Sequence, residues 1–361
     1  MIEPRPDRAS GAYFDFLRTA KSFWARDMYA AVRRDFEARA RREGPQGFAD
    51  VDAAEAAMRR EASYQAFGWF ERHLQRLKYV HDRGILAAVE AQRDELQAAL
   101  DAAREEGERS GELRLAREFE LPRYYSAVDF HQHPGGVWRD PLAGVAYDFG
   151  RSTTMPAHID PDEIHHRFTA AVPRQARWRR ALDLGCGTGR STLPFARRDR
   201  DVAQFAIDLS AACLVRAYMR SHEAGLRIEW SQQHAERTDF PDGHFDLVHS
   251  TFLLHEVPRP ALRAIEQEAL RLLAPGGTFV HLDFHSPPGG VFGDFIHYGH
   301  ARRNNEVFMR SFCETDFLAM QRELGFSRAE MRPFDDGSGE WTREQVPPSW
   351  RFPAQLFVAV K

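Results

Sequence analysis

Gly185, Gly187 and Gly189 stand two apart between an apolar run at 181–184 and a stretch of helical character that starts at Ser191. Residues without side chains at that spacing permit a tight turn and let a ligand approach the backbone, with any anionic group near the helix start. No Gly-Lys-Ser/Thr follows, so the loop is not a phosphate-binding P-loop. The last glycine also comes one residue early for a dinucleotide G-x-G-x-x-G. Asp183, two residues ahead of the first glycine, would repel a pyrophosphate but suits a ligand carrying an ammonium and a sulfonium. Asp208 ends the next apolar run, where a ribose diol needs a bidentate acceptor. The two acids fit one nucleoside ligand.

The elements that must position these groups are readable from periodicity. Apolar runs at 181–184, 202–207, 245–248 and 278–282 alternate with helical stretches, which predicts parallel strands, crossover helices and a ligand at the strand carboxyl ends. The run 355–360 predicts a late strand inside the sheet. Before them the chain reads as helix after helix: Phe14, Leu17, Ala20, Trp24 and Met28 recur every three or four residues, as do Tyr64, Phe67, Phe70, Leu74 and Leu77. The stretch 102–120 is densely charged with mixed signs and reads as a solvated face. Residues 121–150, rich in Tyr, His, Pro and Gly, break the helical period and read as a linker or lid. The expected organisation is a helical region 1–120, a linker or lid 121–159, and a cofactor-binding α/β domain 160–361.

At this point the sequence resembles the class I S-adenosylmethionine-dependent methyltransferases, and within them the small-molecule enzymes of the quinone C-methyltransferase type. The likeness covers about 160–361. Besides the glycine loop it includes 233–248, similar to the family's adenine-binding turn and fourth strand, and the segments 254–257 and 272–278. The resemblance implies a Rossmann-like, seven-stranded methyltransferase sheet, here with a mainly α-helical N-terminal domain, and S-adenosyl-L-methionine as cofactor. It further implies that Asp183, Gly185, Gly187 and Gly189 hold the methionine end, Asp208 the ribose, and Leu209 the adenine. His234 stands where the family often has Asp, so Ala235 and Glu236 are expected to share the adenine contact.

Methyl transfer from a sulfonium is a direct displacement, so the protein chiefly aligns the acceptor and excludes water. A base is optional. His255, following the fourth strand, and His285, following the fifth, are the candidates. His131 and His133 in the linker, with His297 and Tyr298 in the excursion 287–312, are candidates for acceptor contact. No metal site is expected. The anticipated reaction is methylation of a small organic acceptor, oxygen first, with carbon or nitrogen close behind. A non-catalytic cofactor-binding scaffold and a macromolecular methyltransferase are the alternatives.

Composition narrows the partners. The 361 residues carry 49 Lys+Arg against 53 Asp+Glu, and residues 1–120 hold 21 basic and 23 acidic groups, a poor balance for neutralising nucleic-acid phosphates. No stretch approaches a bilayer-spanning apolar run and the first residues lack an apolar signal core, so a cytoplasmic, non-membrane protein is expected. The helical region is expected to offer a homodimer surface. Cys186, Cys213 and Cys313 suggest neither disulfides nor a zinc knuckle.

Overall fold

A computed structural model describes residues 3–152, 162–337 and 339–361. The expected boundary at 159/160 lies outside the described residues, as do Thr153 and Thr154 of the tract leading to it. The N-terminal part forms α1 (Arg8–Phe23), α2 (Tyr29–Glu43), α3 (Val51–Met58), α4 (Ala62–Val80), α5 (Ile85–Glu90) and α6 (Arg93–Ser110). One π-turn, Trp24–Met28, joins α1 to α2. Asp7 and Asp50 cap α1 and α3 by accepting backbone N–H groups, which satisfies donors that a helix start leaves unpaired. After Gly111 the chain makes a two-residue strand, β1 (Leu113–Arg114), then α7 (Arg123–Ser126) and α8 (Ala143–Ser152).

From 163 onward come α9 (Glu163–Ala171), β2 (Arg180–Leu184), α10 (Thr192–Arg198), β3 (Ala203–Asp208), α11 (Ala211–Glu223), β4 (Glu229–Gln232), β5 (Phe245–Thr251), α12 (Arg259–Leu272), β6 (Leu273–Phe284), α13 (Val291–Arg303), α14 (Met309–Cys313), α15 (Phe317–Leu324), β7 (Arg328–Pro333) and β8 (Ala354–Val360). The sheet order is β1-β4-β3-β2-β5-β6-β8-β7. β8 runs antiparallel between β6 and β7, and the other pairings are parallel. The sheet therefore has eight strands, not seven. The eighth is β1, which the charged stretch 102–120 concealed: Leu113 is buried and pairs with Trp230.

The helical region is not insulated from the sheet. Leu17, Leu74, Ile85, Leu96 and Leu100 share one core with Leu193, Ala217 and Trp230. A second core joins Trp24, Phe36 and Phe67 to Phe292, Phe295 and Ile296 of α13. Each such side chain contributes about 1.5–3 kcal/mol on burial, which ties the excursion after β6 to the N-terminal helices. One reading of α4 is corrected. Leu77 and Trp69 are exposed, whereas Glu71, Gln75 and Lys78 are buried. Spaced four and three apart, these polar residues form an inward stripe, because their partners lie on the far side of the interface.

Candidate active site

β2 and β3 run side by side with Asp183 opposite Ala206 and Leu184 opposite Ile207. Their ends are level, so Asp183 and Asp208 flank one opening. The turn leaving β2 has φ of +67°, +52° and +76° at Gly185, Gly187 and Gly189, a region that strains any residue with a side chain. The three glycines differ in purpose. A Cβ on Gly185 would meet Leu253 at 2.8 Å and one on Gly189 would meet Trp230 at 2.6 Å, while one on Gly187 would meet nothing within 4 Å. Gly187 thus presents bare backbone to open space. Gly189 lets the turn pack beneath α11 and lies off the cleft wall, contrary to its expected contact with the ligand.

The two acids are held differently. Asp208 accepts from the Gly187 N–H and the Ser210 N–H, both at 2.8 Å. Burial raises its carboxyl to about 6 against the pull of those hydrogen bonds, with the Glu256 charge adding to the rise. Asp183 is 1 % exposed. Its Oδ2 accepts from Thr192 Oγ1 at 2.6 Å, while Oδ1 makes no hydrogen bond among the described residues and has the buried His249 Nδ1 at 3.5 Å. Burial, with the Asp208 charge, pushes Asp183 up to about 8. A buried carboxyl oxygen without a hydrogen bond is costly unless a donor arrives. An ammonium-bearing ligand is such a donor.

The cleft opens at the carboxyl ends of β2 and β3. Asp183, Gly185, Gly187, Asp208, Leu209, Ala235 and Glu236 line one wall, and His131 and His133 lie on the other. The roof comes from the segment between β1 and α8, with Tyr124, Tyr125, Phe130 and Trp138, and from Tyr147 and Arg151 of α8. It is latched to the sheet side: the Tyr124 hydroxyl donates to Glu236, and Ser210 Oγ donates to the Val137 carbonyl at 2.5 Å.

His131 is the most constrained residue of this roof. It and Gln132 both take left-handed backbone, φ +54° and +56°, which costs roughly 1–2 kcal/mol per residue. Gln75 of α4 donates to the His131 carbonyl at 2.8 Å, and Gln132 Nε2 donates to the Arg303 carbonyl at 2.6 Å. So placed, the ring bridges Glu256 at 2.8 Å through Nε2 and Glu306 at 3.2 Å through Nδ1. Burial disfavours its charge, yet the two carboxylates prevail and raise it to about 10. His133, stacked on Tyr79 at 4.7 Å, goes the other way, to about 4, through burial and the nearby Lys78 charge.

Other expected residues lie elsewhere. His234 stacks on Phe119 at 4.6 Å, outside the cleft wall. His255 is buried with Nδ1 2.5 Å from Asp283 Oδ1. Asp283 also accepts the Leu254 and His255 N–H groups and faces His281 Nε2 at 2.9 Å. This network anchors the turn after β5, and the His255 ring does not line the cleft. Burial opposes charge on His255, but Asp283 raises it above the ordinary imidazole value. His285 is packed among Phe312, Phe317 and Phe357. His297 and Tyr298 sit on α13, where its other residues join the aromatic core. Both are buried and off the cleft. Among the described residues no three His, Cys, Asp or Glu side chains are arranged to hold a metal ion, and no helix is long and apolar enough to cross a membrane.

Several wall residues carried no recognisable sequence signal. Glu256 sits beside the expected His255 but faces the cleft instead. Arg190 pairs with Asp148 at 2.8 Å and with Asp162, and Arg151 donates to His165 Nε2 at 3.0 Å. Arg190 follows the last loop glycine directly, which was the one local hint.

A parallel sheet closed by an antiparallel strand, with a glycine turn and a facing carboxylate at its two central strand ends, defines the class I methyltransferase architecture. Residues 181–277 match the methyltransferase domain family. That segment of the chain is a methyltransferase domain. The chain is 33% identical over 132 residues to a ubiquinone/menaquinone biosynthesis C-methyltransferase of Azotobacter vinelandii, covering 35% of this chain and 51% of that protein. It is 38% identical over 136 residues to a phosphatidylethanolamine N-methyltransferase of Cereibacter sphaeroides, covering 37% and 60%. Among solved structures it is similar to phosphoethanolamine N-methyltransferase 2 of Haemonchus contortus in complex with S-adenosyl-L-methionine, at 16% identity and a TM-score of 0.41, covering 55% of this chain and 52% of that one. The chain spans about half to three fifths of the length of the curated relatives it matches.

Proposed function

We propose that this protein transfers a methyl group from S-adenosylmethionine to a small organic acceptor held under the roof of the cleft. The observation that carries this reading is the pairing of Gly187, whose backbone faces open space, with Asp208 and the unsatisfied oxygen of Asp183 on one wall. Asp183, Gly185 and Gly187 would hold the methionine end, Asp208 the ribose, and Leu209, Ala235 and Glu236 the adenine. The cofactor supplies an electrophilic methyl on a sulfonium. The chain's own task is to align the acceptor, keep water out beneath Tyr124, Phe130 and Trp138, and hold a proton acceptor. Glu256, fixed by His131, is placed to take a proton from an acceptor N–H or O–H. His255 and His285 have no part in this reading, because neither faces the cleft.

Carbon or nitrogen is favoured as the methylated atom. The relatives named above are C- and N-methyltransferases, so the preference for oxygen expected from the sequence is not retained. Calorimetric titration with S-adenosylmethionine and S-adenosylhomocysteine tests the cofactor, and one-methyl mass shifts in extracts incubated with protein test the transfer. Absence of heat with either compound would overturn the proposal, and binding without any shifted mass would favour a cofactor-binding scaffold.

A further inference from the structure

Four polar side chains of the cleft are joined in one chain of hydrogen bonds that the reading above leaves unused. Arg151 of α8 donates to His165 Nε2 at 3.0 Å, His165 Nδ1 lies 2.7 Å from Ser191 Oγ, and Ser191 Oγ lies 2.7 Å from Thr251 Oγ1. All four line the cleft. His165 and Ser191 are buried, whereas Thr251, the last residue of β5, is half-buried.

The first member sets the direction of every proton in this chain. A guanidinium has donors and no acceptor, so His165 Nε2 accepts and the neutral ring carries its hydrogen on Nδ1. Burial, with the Arg151 charge, holds His165 well below the ordinary imidazole value, in keeping with that state. The Nδ1 hydrogen goes to Ser191 Oγ, and the Ser191 hydrogen goes on to Thr251 Oγ1. The reverse order at the last step would leave the hydroxyl hydrogen of Ser191, 5 % exposed, without an acceptor. The Thr251 side chain makes no other hydrogen bond among the described residues, so its own hydrogen is left for a ligand in the cleft.

The sheet register places that donor. Asp183 lies opposite His249 and Leu184 opposite Ser250, which brings Thr251 level with Gly185, on the wall that would hold the methionine end. Phe252, next in the chain, takes left-handed backbone at φ +58°, a strained conformation for a bulky residue. It is held by its N–H on the Leu282 carbonyl at 2.8 Å and by its ring stacked on Phe284 at 4.6 Å. The end of β5 is thus fixed from behind. An α-amino acid group needs an acceptor for its ammonium and a donor for its carboxylate, and Asp183 and Thr251 offer one of each at neighbouring strand ends.

We infer that Thr251 is a further ligand-binding residue whose hydroxyl donates to the carboxylate of the cofactor's amino acid end, and that Arg151 and His165 are positioning residues that keep this hydroxyl a donor by fixing the polarity of the chain through Ser191. Arg151 belongs to α8, ahead of the cofactor-binding sheet, so the segment before the sheet orients a group on the cofactor wall. This assignment rests on the methyl-transfer reading for the identity of the ligand.

The test titrates full-length protein with S-adenosylhomocysteine and with methylthioadenosine, which keeps the nucleoside and the thioether but lacks the amino acid group, both read by calorimetry. In Thr251→Val, a near-isosteric change, S-adenosylhomocysteine should bind about ten-fold or more weakly, as fits loss of a hydrogen bond to a charged group. Methylthioadenosine should stay within about two-fold of wild type, a margin smaller than one lost hydrogen bond. Thr251→Ser should restore the tighter binding. His165→Phe should weaken S-adenosylhomocysteine less, about three-fold, as for a neutral hydrogen bond. His165→Gln, whose amide can accept from Arg151 and donate to Ser191, should recover it. Three results would overturn the inference: wild-type affinity for S-adenosylhomocysteine in Thr251→Val, an equal loss for both compounds in that variant, or His165→Gln no better than His165→Phe. Should Thr251→Val not fold, Thr251→Ala against Thr251→Ser carries the same comparison. Wild type that binds neither compound would bring down the methyl-transfer reading and this inference together, whereas wild type that binds both, with Thr251→Val indistinguishable from it, would sink the inference alone.

Discussion

The two walls of the cleft are built on opposite plans. The wall at the ends of β2 and β3 is mostly backbone, drawn from residues 183–187 and 208–210, and its geometry follows from a turn between adjacent strands. The opposite wall carries side chains from the linker and the turn after β5, His131 and Glu256, held from behind by Gln75 of α4 and by Glu306 beyond α13. Backbone walls tolerate change around them and fix a constant ligand. Side-chain walls can be rewritten one residue at a time, which suits the half of the site that must distinguish acceptors.

The sharpest probe of this contrast is His255, beneath the acceptor side. His255→Ala removes one partner of fully buried Asp283, and a loss of about 3–5 kcal/mol in unfolding free energy is expected, measured by urea denaturation. An unchanged midpoint with lowered turnover would return His255 to the chemistry. Gly187→Val attacks the other wall, where a branched side chain at φ +52° would enter the ligand's space. S-adenosylhomocysteine affinity should fall roughly a hundred-fold, about 2.7 kcal/mol, with a much smaller change in melting temperature than in Gly189→Val, whose side chain would strike Trp230. Full affinity in Gly187→Val would move the cofactor elsewhere.

Asp208→Ala should weaken the same ligand by about 1.5–3 kcal/mol, as for a charged hydrogen-bond partner, again read by calorimetry. Its titration gives a signed pH effect. With the carboxyl near 6 in the free protein, acidification below 6 protonates the acceptor of the ribose hydroxyls, so affinity should rise between pH 5 and 7 and the rise should vanish in Asp208→Asn. Asp183, raised to about 8, acts on stability with the opposite slope. A carboxyl whose folded value lies above its unfolded value of about 4 contributes stability at low pH and loses it as pH climbs through 8. The ligand-free protein should therefore lose part of its stability across that window, and Asp183→Asn should flatten the curve. Smallest of all, Gln75→Ala should cost about 1 kcal/mol in thermal stability. It should leave S-adenosylhomocysteine affinity intact, and a large loss there would mean that the two walls are coupled.

Legibility followed the same division. Asp183, Gly185, Gly187 and Asp208 are neighbours in the fold because they close consecutive strands, so spacing along the chain reports them. The partners of His131 lie 125 and 175 residues away in sequence, as Glu256 and Glu306, and no periodicity connects them. His131 itself was visible only as a histidine in a linker. The stripe Glu71, Gln75 and Lys78 was hidden by the aromatic pattern of α4, which marks which residues could be buried and not which partner the helix turns toward. His255 and His285 occupy strand-end positions that suggest a rim, yet Asp283 and the aromatics Phe312 and Phe317 draw their rings inward.

The short strand β1 carries one more consequence. By pairing with Trp230 and Ser231 it covers the outer edge of β4, which would otherwise display free backbone groups to other chains. A fragment trimmed to begin near residue 160 would keep the entire glycine turn yet expose that border, and should self-associate more readily than the intact polypeptide. The helices thus serve as a guard for the sheet as well as a ceiling for the ligand, and dissection of this protein is best begun upstream of Leu113.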